Sequence, residues 1–189
     1  MTAMIGKNLH ASLQYKLFWA FVVNLRGRQV SSMPKYAEKT TVSARESQYE
    51  IERTLMRFGA SKFVYAWKET AAVIGFEMNG KQVRFVLPMP SRSDPQITKT
   101  PARGQTRTME QQEKAYEQAV RQKWRALAAT IKAKFAACEA GISIFEREFF
   151  YDIVLPSGQT VGEYIMPQVE QSCRTGEMPP MLPMWGEEV

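Results

Sequence analysis

Between Thr108 and Glu139 the apolar positions recur at steps of three and four: Tyr116, Val120, Trp124, Leu127, Ile131, Phe135 and Cys138. At about 100° per residue these seven share one face, which predicts a long amphipathic helix packed along that side. Ser43 to Phe58 predicts a second helix. Ser43 and Glu46 have the spacing of a capping box, Ile51, Leu55 and Phe58 share a face, and Gly59 suits the position just past the end. Between the helices the period changes to two. Lys62–Lys68 alternates Phe63, Tyr65 and Trp67 with smaller residues, Ala71–Met78 is apolar, and Lys81–Leu87 alternates Val83, Phe85 and Leu87 with polar positions. Asn79-Gly80 is a hairpin signal and Glu69-Thr70 the other tight connection. The expected fold is therefore α+β, a three-stranded antiparallel meander packed by an N-terminal helix and a long basic amphipathic helix. The row Phe63, Tyr65, Trp67 could stack nucleobases, but helix 43–58 needs an apolar sheet face, so it is expected in the core.

Punctuation divides the rest. Ser91 to Arg107 has no hydrophobic period and holds Pro95, Pro101 and Gly104, so 91–107 reads as a long loop. Ile142 to Leu155 is aromatic-rich and ambiguous. Pro156-Ser157-Gly158 is a turn, and Thr160 to Ser172 predicts a last helix interrupted near Pro167. Residues 33–172 are expected to form one domain, and 173–189 a Pro-rich tail with Leu182 and Trp185 as anchors. Residues 1–32 read as an extension, with Met33 an alternative start. Its run LFWAFVV is too short for a membrane span and lacks a cleavage site after it, so a cytoplasmic chain without membrane attachment is expected.

Charge changes the picture more than composition does. The chain of 189 residues carries +6, distributed as +4 over 1–32, +3 over 33–89, +6 over 90–134 and −7 over 135–189. Within the basic block, Arg107, Lys114, Arg121, Arg125 and Lys132 are spaced by seven and four, aligned within about ±20° on the flank of the apolar face. With Arg92, Lys99 and Arg103 of the loop they are the candidate contacts to the phosphates of DNA or RNA. Glu110 with Lys114 and Glu117 with Arg121 are also good helix pairs, so a solvated, self-paired face is the competing reading.

Catalytic chemistry finds little to stand on. Two cysteines without a CxxC and the single His10 exclude the usual zinc sites. A carboxylate-metal nuclease would need an aspartate followed by Glu-x-Lys on adjacent strands, whereas Glu77 is followed by Met78-Asn79. Glu146, Glu148 and Asp152 read as surface, and Cys138 as a small hydrophobe. No cofactor, metal or catalytic residue is expected.

The order helix, three strands, helix resembles that of the double-stranded-RNA-binding domain. Lys68-Glu69-Thr70 and Thr108-Met109-Glu110 stand where that family has its Gly-Pro-x-His element and lysine cluster, so none of its binding residues carries over. The segments EIERTLMRFGASKFVYAW, VRFVLPMP, WRALAATIKAKFAACEAGISIFEREF and GQTVGEY resemble a group of small proteins encoded by bacteriophages and prophages, over roughly residues 43–166. That resemblance implies a context of nucleic-acid transactions or of countering host defence, and no catalytic motif. Two expectations lead: a non-catalytic nucleic-acid-binding accessory protein, and an interaction module acting on a host or phage protein complex, such as a host-defence inhibitor; a carboxylate-metal nuclease stays as a third, less favoured one.

Overall fold

The computed structural model describes residues 36–68 and 70–177. The N-terminal extension, Met33, Glu69, Leu182 and Trp185 lie outside them.

Helix α1 (Ala44–Arg57) opens with a complete capping box. Ser43 Oγ accepts from the Glu46 amide and Glu46 accepts from the Ser43 amide. It stops at Gly59, whose φ of +83° admits the reversal into the sheet. Strands β1 (Ser61–Lys68), β2 (Ala71–Met78) and β3 (Lys81–Pro88) pair antiparallel in the order β1-β2-β3. Asn79 and Gly80 both take positive φ in the β2–β3 turn, as the sequence signal requires. The 31-residue α3 (Met109–Glu139) also starts with a capping box, Thr108 with Gln111. Between β3 and α3 lies the single turn α2 (Pro95–Thr98); after α3 come α4 (Phe145–Phe149), a 3₁₀ turn at Phe150–Asp152, and α5 (Val161–Thr175).

The α+β meander with its two packing helices is the architecture expected. The core lies between one sheet face and the helices. Ala72, Ile74, Phe76, Val83 and Phe85 point from the sheet into a layer built by Ile51 and Leu55 of α1 and Trp124, Ala128, Ile131 and Phe135 of α3. Phe149 of α4 closes it. Its buried ring packs within 4.7–6.2 Å of Phe145, Phe135, Phe76 and Phe85, joining sheet, α3 and α4 in one cluster.

Three details differ from the sequence reading. Of the aromatic row only Phe63 is partly buried against the core; Tyr65 and Trp67 form its rim, 41% and 57% exposed, because β1 is the edge strand. Loop 91–107 is ordered by α2 and by a bridge between Lys99 and Thr106. Helix α5 runs through Pro167 without interruption to Gly176. A proline there removes only the donor that would reach the Glu163 carbonyl, and one lost bond near an exposed surface need not end a capped helix.

Helix α5 is held at its start. Thr160 and Glu163 form a third capping box, and Arg84 of β3 donates to Glu163 at 2.7 Å and to the Gly158 carbonyl at 2.8 Å. A Cβ at Gly162 would lie 2.3 Å from the Tyr151 ring, so glycine permits this docking. The Thr160 amide, followed by Arg84, holds the Glu163 carboxyl below the ordinary carboxylate range. A lowered folded value contributes stability that is present above the ordinary value and lost as pH falls through the folded one. Glu163→Gln should therefore flatten the acid limb of the stability profile, read as melting temperature between about pH 6 and 3.

The described contacts begin at Tyr36, whose carbonyl accepts from Gln122 Nε2 at 2.8 Å, while Gln118 Nε2 donates to the carbonyls of Glu38 and Thr40. Two α3 amides thus staple the entering chain. A polypeptide starting at Met33 keeps that staple and should unfold within a few degrees of the full chain; a larger loss in thermal unfolding would assign LFWAFVV to the core.

Candidate nucleic-acid interface

Loop 91–107 is built from short-range hydrogen bonds. The Asp94 carboxylate accepts from the Ser91 amide at 2.9 Å, and its carbonyl accepts from Ile97 and Thr98. Ile97 is buried and anchors the loop, with α2 packed on α3. Beyond it the chain makes a small hairpin: the Thr100 amide donates to the Gln105 carbonyl at 2.8 Å, the Gly104 amide returns to the Thr100 carbonyl, and Gly104 supplies a φ of +63°. The base is closed by the Arg107 amide on Thr98 and by the Arg107 guanidinium on the carbonyls of Gln96 and Ile97, at 2.7 and 3.1 Å.

The eight cations selected from the sequence have three different environments. Lys99 and Arg103 are exposed on the hairpin and have no ion-pair partner among the described residues. Arg107 is fixed by backbone carbonyls, which leave its charge intact. The other five face carboxylates. Arg92 grips Glu113 with both Nη atoms and lies 4.3 Å over the Tyr116 ring, so Tyr116 serves the loop as well as the stripe. The hydrogen bond from Arg92 keeps the Glu113 carboxyl below its ordinary range. Lys114 meets Glu110 at 2.5 Å and Arg121 meets Glu117 at 3.6 Å. Arg125 and Lys132 share Glu50 of α1, the latter at 3.5 Å.

Of the expected row, Lys114, Arg121, Arg125 and Lys132 lie on α3, interleaved with acids, whereas Arg107 precedes the helix and turns back onto the loop. The i, i+4 pairs were legible in the sequence; Glu113 with Arg92 and Glu50 with Arg125 were not, because no local spacing brings those residues together. Residues 36–177 contain twenty Lys and Arg against seventeen Asp and Glu, a surplus of three. Residues 91–107 contain four against one, the same surplus. Outside the loop residues 36–177 are charge-neutral, so an anionic partner is attracted chiefly to the loop.

A second feature escaped the sequence reading. A groove of about 490 Å³ between α1 and α3 is lined by Tyr49, Arg53, Arg57 and Lys132 with Glu46, Glu50 and Thr54. Tyr49 is 61% exposed and carries the Arg53 guanidinium 5.9 Å above its ring. These types could stack a base beside a phosphate, though the two glutamates lower the local charge.

Cys138 has no activating environment. Burial, with Glu148 and Glu146 nearby, pushes the Cys138 thiol up, so it stays protonated. Glu146 pairs with Lys81, and Asp152 with Lys134, which also donates to the Glu148 carbonyl. Burial raises the Asp152 carboxyl despite Lys134. Among the described residues no group of three or more His, Cys, Asp or Glu could hold a metal ion, and no helix is long and apolar enough to cross a membrane.

The row offers a sensitive test. Glu50→Gln keeps a hydrogen-bond acceptor but releases Arg125 and Lys132, and a part-exposed pair of this kind contributes only about 0–1 kcal/mol to stability. If the row contacts phosphates, the variant should bind nucleic acid more tightly, with a salt slope steeper by about 0.7–0.9 for each released cation. Unchanged binding in a salt titration would place the row outside the interface.

The chain matches no family model, no curated protein and no solved structure.

Proposed function

We propose that the protein is a non-catalytic nucleic-acid-binding accessory protein of phage or prophage origin, acting in the cytoplasm and contacting phosphates through loop 91–107. One observation carries this reading: the charge surplus of the described domain sits on an ordered loop whose Lys99 and Arg103 are unpaired among the described residues. The loop is hydrogen-bonded before any ligand arrives, so binding would cost little ordering of its backbone. Arg92, Lys114, Arg121, Arg125 and Lys132 would add contacts only where a phosphate displaces a carboxylate. The segments resembling phage and prophage proteins support the context.

The test is affinity for single- and double-stranded DNA and RNA as a function of salt. With Lys99, Arg103 and Arg107 as contacts, log affinity should fall against log salt with a slope of about 2–3, whereas all eight cations would give about 6–7. Absence of salt-dependent affinity at low ionic strength would remove this reading. It would leave the interaction module, which one observation favours: the sheet face away from the helices is open, with Val64 and Val86 57% and 51% exposed beside a groove of about 380 Å³.

A further inference from the structure

We propose that the nucleic acid taken by loop 91–107 is double-stranded DNA, with the hairpin from Lys99 to Arg107 entering the major groove; this rests on the phosphate-contact reading of the loop and names its substrate. The hairpin is the part of the loop that stands clear. Every residue from Pro101 to Thr106 is exposed, whereas Ile97 beneath it is buried. Lys99, Arg103 and Arg107 place three positive charges on the stretch, which holds no carboxylate. Asp94, the acid of the loop, lies before it and accepts from the Ser91 amide. The shape is set before binding. Lys99 bridges Thr106, Thr100 Oγ1 accepts from the Gln105 amide at 3.1 Å, and the tip between them runs from Pro101, with its fixed φ, to Gly104 at +63°.

Single strands and duplex RNA suit such a hairpin less well. A single strand is gripped by aromatic side chains on which its bases stack. Residues 91–107 contain no Phe, Tyr or Trp, and Tyr116 beside them is covered by the Arg92 guanidinium at 4.3 Å. The exposed rings of Tyr49, Tyr65 and Trp67 belong to α1 and β1. Double-stranded RNA has a major groove too narrow for side chains to read, and proteins hold it across the shallow minor groove. The major groove of B-form DNA, about 12 Å wide and 8.5 Å deep, admits a two-stranded ribbon. Its minor groove, about 6 Å wide, must be bent open first.

The dimensions of the hairpin match the wider groove. Its two arms lie about 5 Å apart before side chains are added, and the three steps from Lys99 to Ala102 span about 10 Å, enough to bring the tip to the groove floor. The tip cation is Arg103. Guanine presents O6 and N7 side by side on that floor, the pair of acceptors that a guanidinium fork fits best. Lys99 and Arg107, at the base of the two arms, stay beside the phosphates that flank the groove. Arg107 uses only Nη1 on the carbonyls of Gln96 and Ile97, so the rest of its fork faces no described partner.

The test titrates the full chain with short probes of equal length and mixed sequence, single- and double-stranded, of DNA and of RNA, at several salt concentrations. Duplex DNA should bind at least about tenfold more tightly than the other three. Replacing its guanines by 7-deazaguanine exchanges N7 for a C–H in the major groove and leaves the phosphates and the minor groove as they were. It should weaken binding about fivefold or more. Arg103→Gln should abolish that difference, whereas Lys99→Gln should keep it and lower the salt slope by about 0.9. Equal or tighter binding to single strands or to RNA overturns this inference and leaves the phosphate-contact reading standing. So does a duplex that binds equally well with 7-deazaguanine. Salt-dependent binding to none of the four probes overturns both.

Discussion

Phe149→Ala is expected to be the most damaging single change, costing about 3–5 kcal/mol. The ring is fully buried and touches rings from β2, β3, α3 and α4. Truncation leaves a cavity that α4 cannot easily fill, since Lys134 ties the same region down through the Glu148 carbonyl and Asp152. Denaturant unfolding should show the loss as a lower midpoint with little change in slope. Phe150→Ala, one residue on and 54% exposed, should cost far less. Similar losses at both positions would mean that the cluster does not hold the layers together.

The second large effect concerns binding. Lys99 and Arg103 changed together to Gln should leave the melting temperature almost unaltered, because both are exposed and the hairpin is held by backbone bonds and by Thr100. If both contact phosphate, the salt slope should drop by about 1.4–1.8, equivalent to roughly 25- to 60-fold weaker affinity at 0.1 M salt. The same double change at Arg121 and Arg125 should do less, since Glu117 and Glu50 already neutralise them. A larger loss from the helix pair than from the loop pair would move the interface onto α3.

Elements with their own local signals were legible in the sequence. The capping box at Ser43, the Asn79-Gly80 turn and the spacing from Trp124 to Phe135 are properties of neighbouring positions, and the structure contains all of them. The apolar stripe on α3 could be read because burial imposes the helical period on it. Loop 91–107 could not be resolved in this way. Its order comes from Ile97 inserted under α3 and from Arg107 on two carbonyls, neither of which leaves a period. The charge row was visible, but its neutralisation by Glu50 was not, because Glu50 and Arg125 lie 75 residues apart in the chain. The edge position of β1, which exposes Tyr65 and Trp67, is likewise decided by strand order.

Helix α3 would be about 46 Å long at the usual rise per residue, yet its first fully buried side chain is Trp124. The turns from Met109 to about Ala119 have no fully buried side chain and are braced by Arg92 on Glu113 and by Gln118 on the entering chain. The basic loop is attached to that end. Amide hydrogens in those first turns should open locally, whereas those between Trp124 and Phe135 should exchange only when the domain as a whole unfolds. A ligand gripping the loop should therefore stiffen the first turns and leave the clamped half untouched. The mark of an occupied interface is a front of slowed exchange that stops one turn before the core begins.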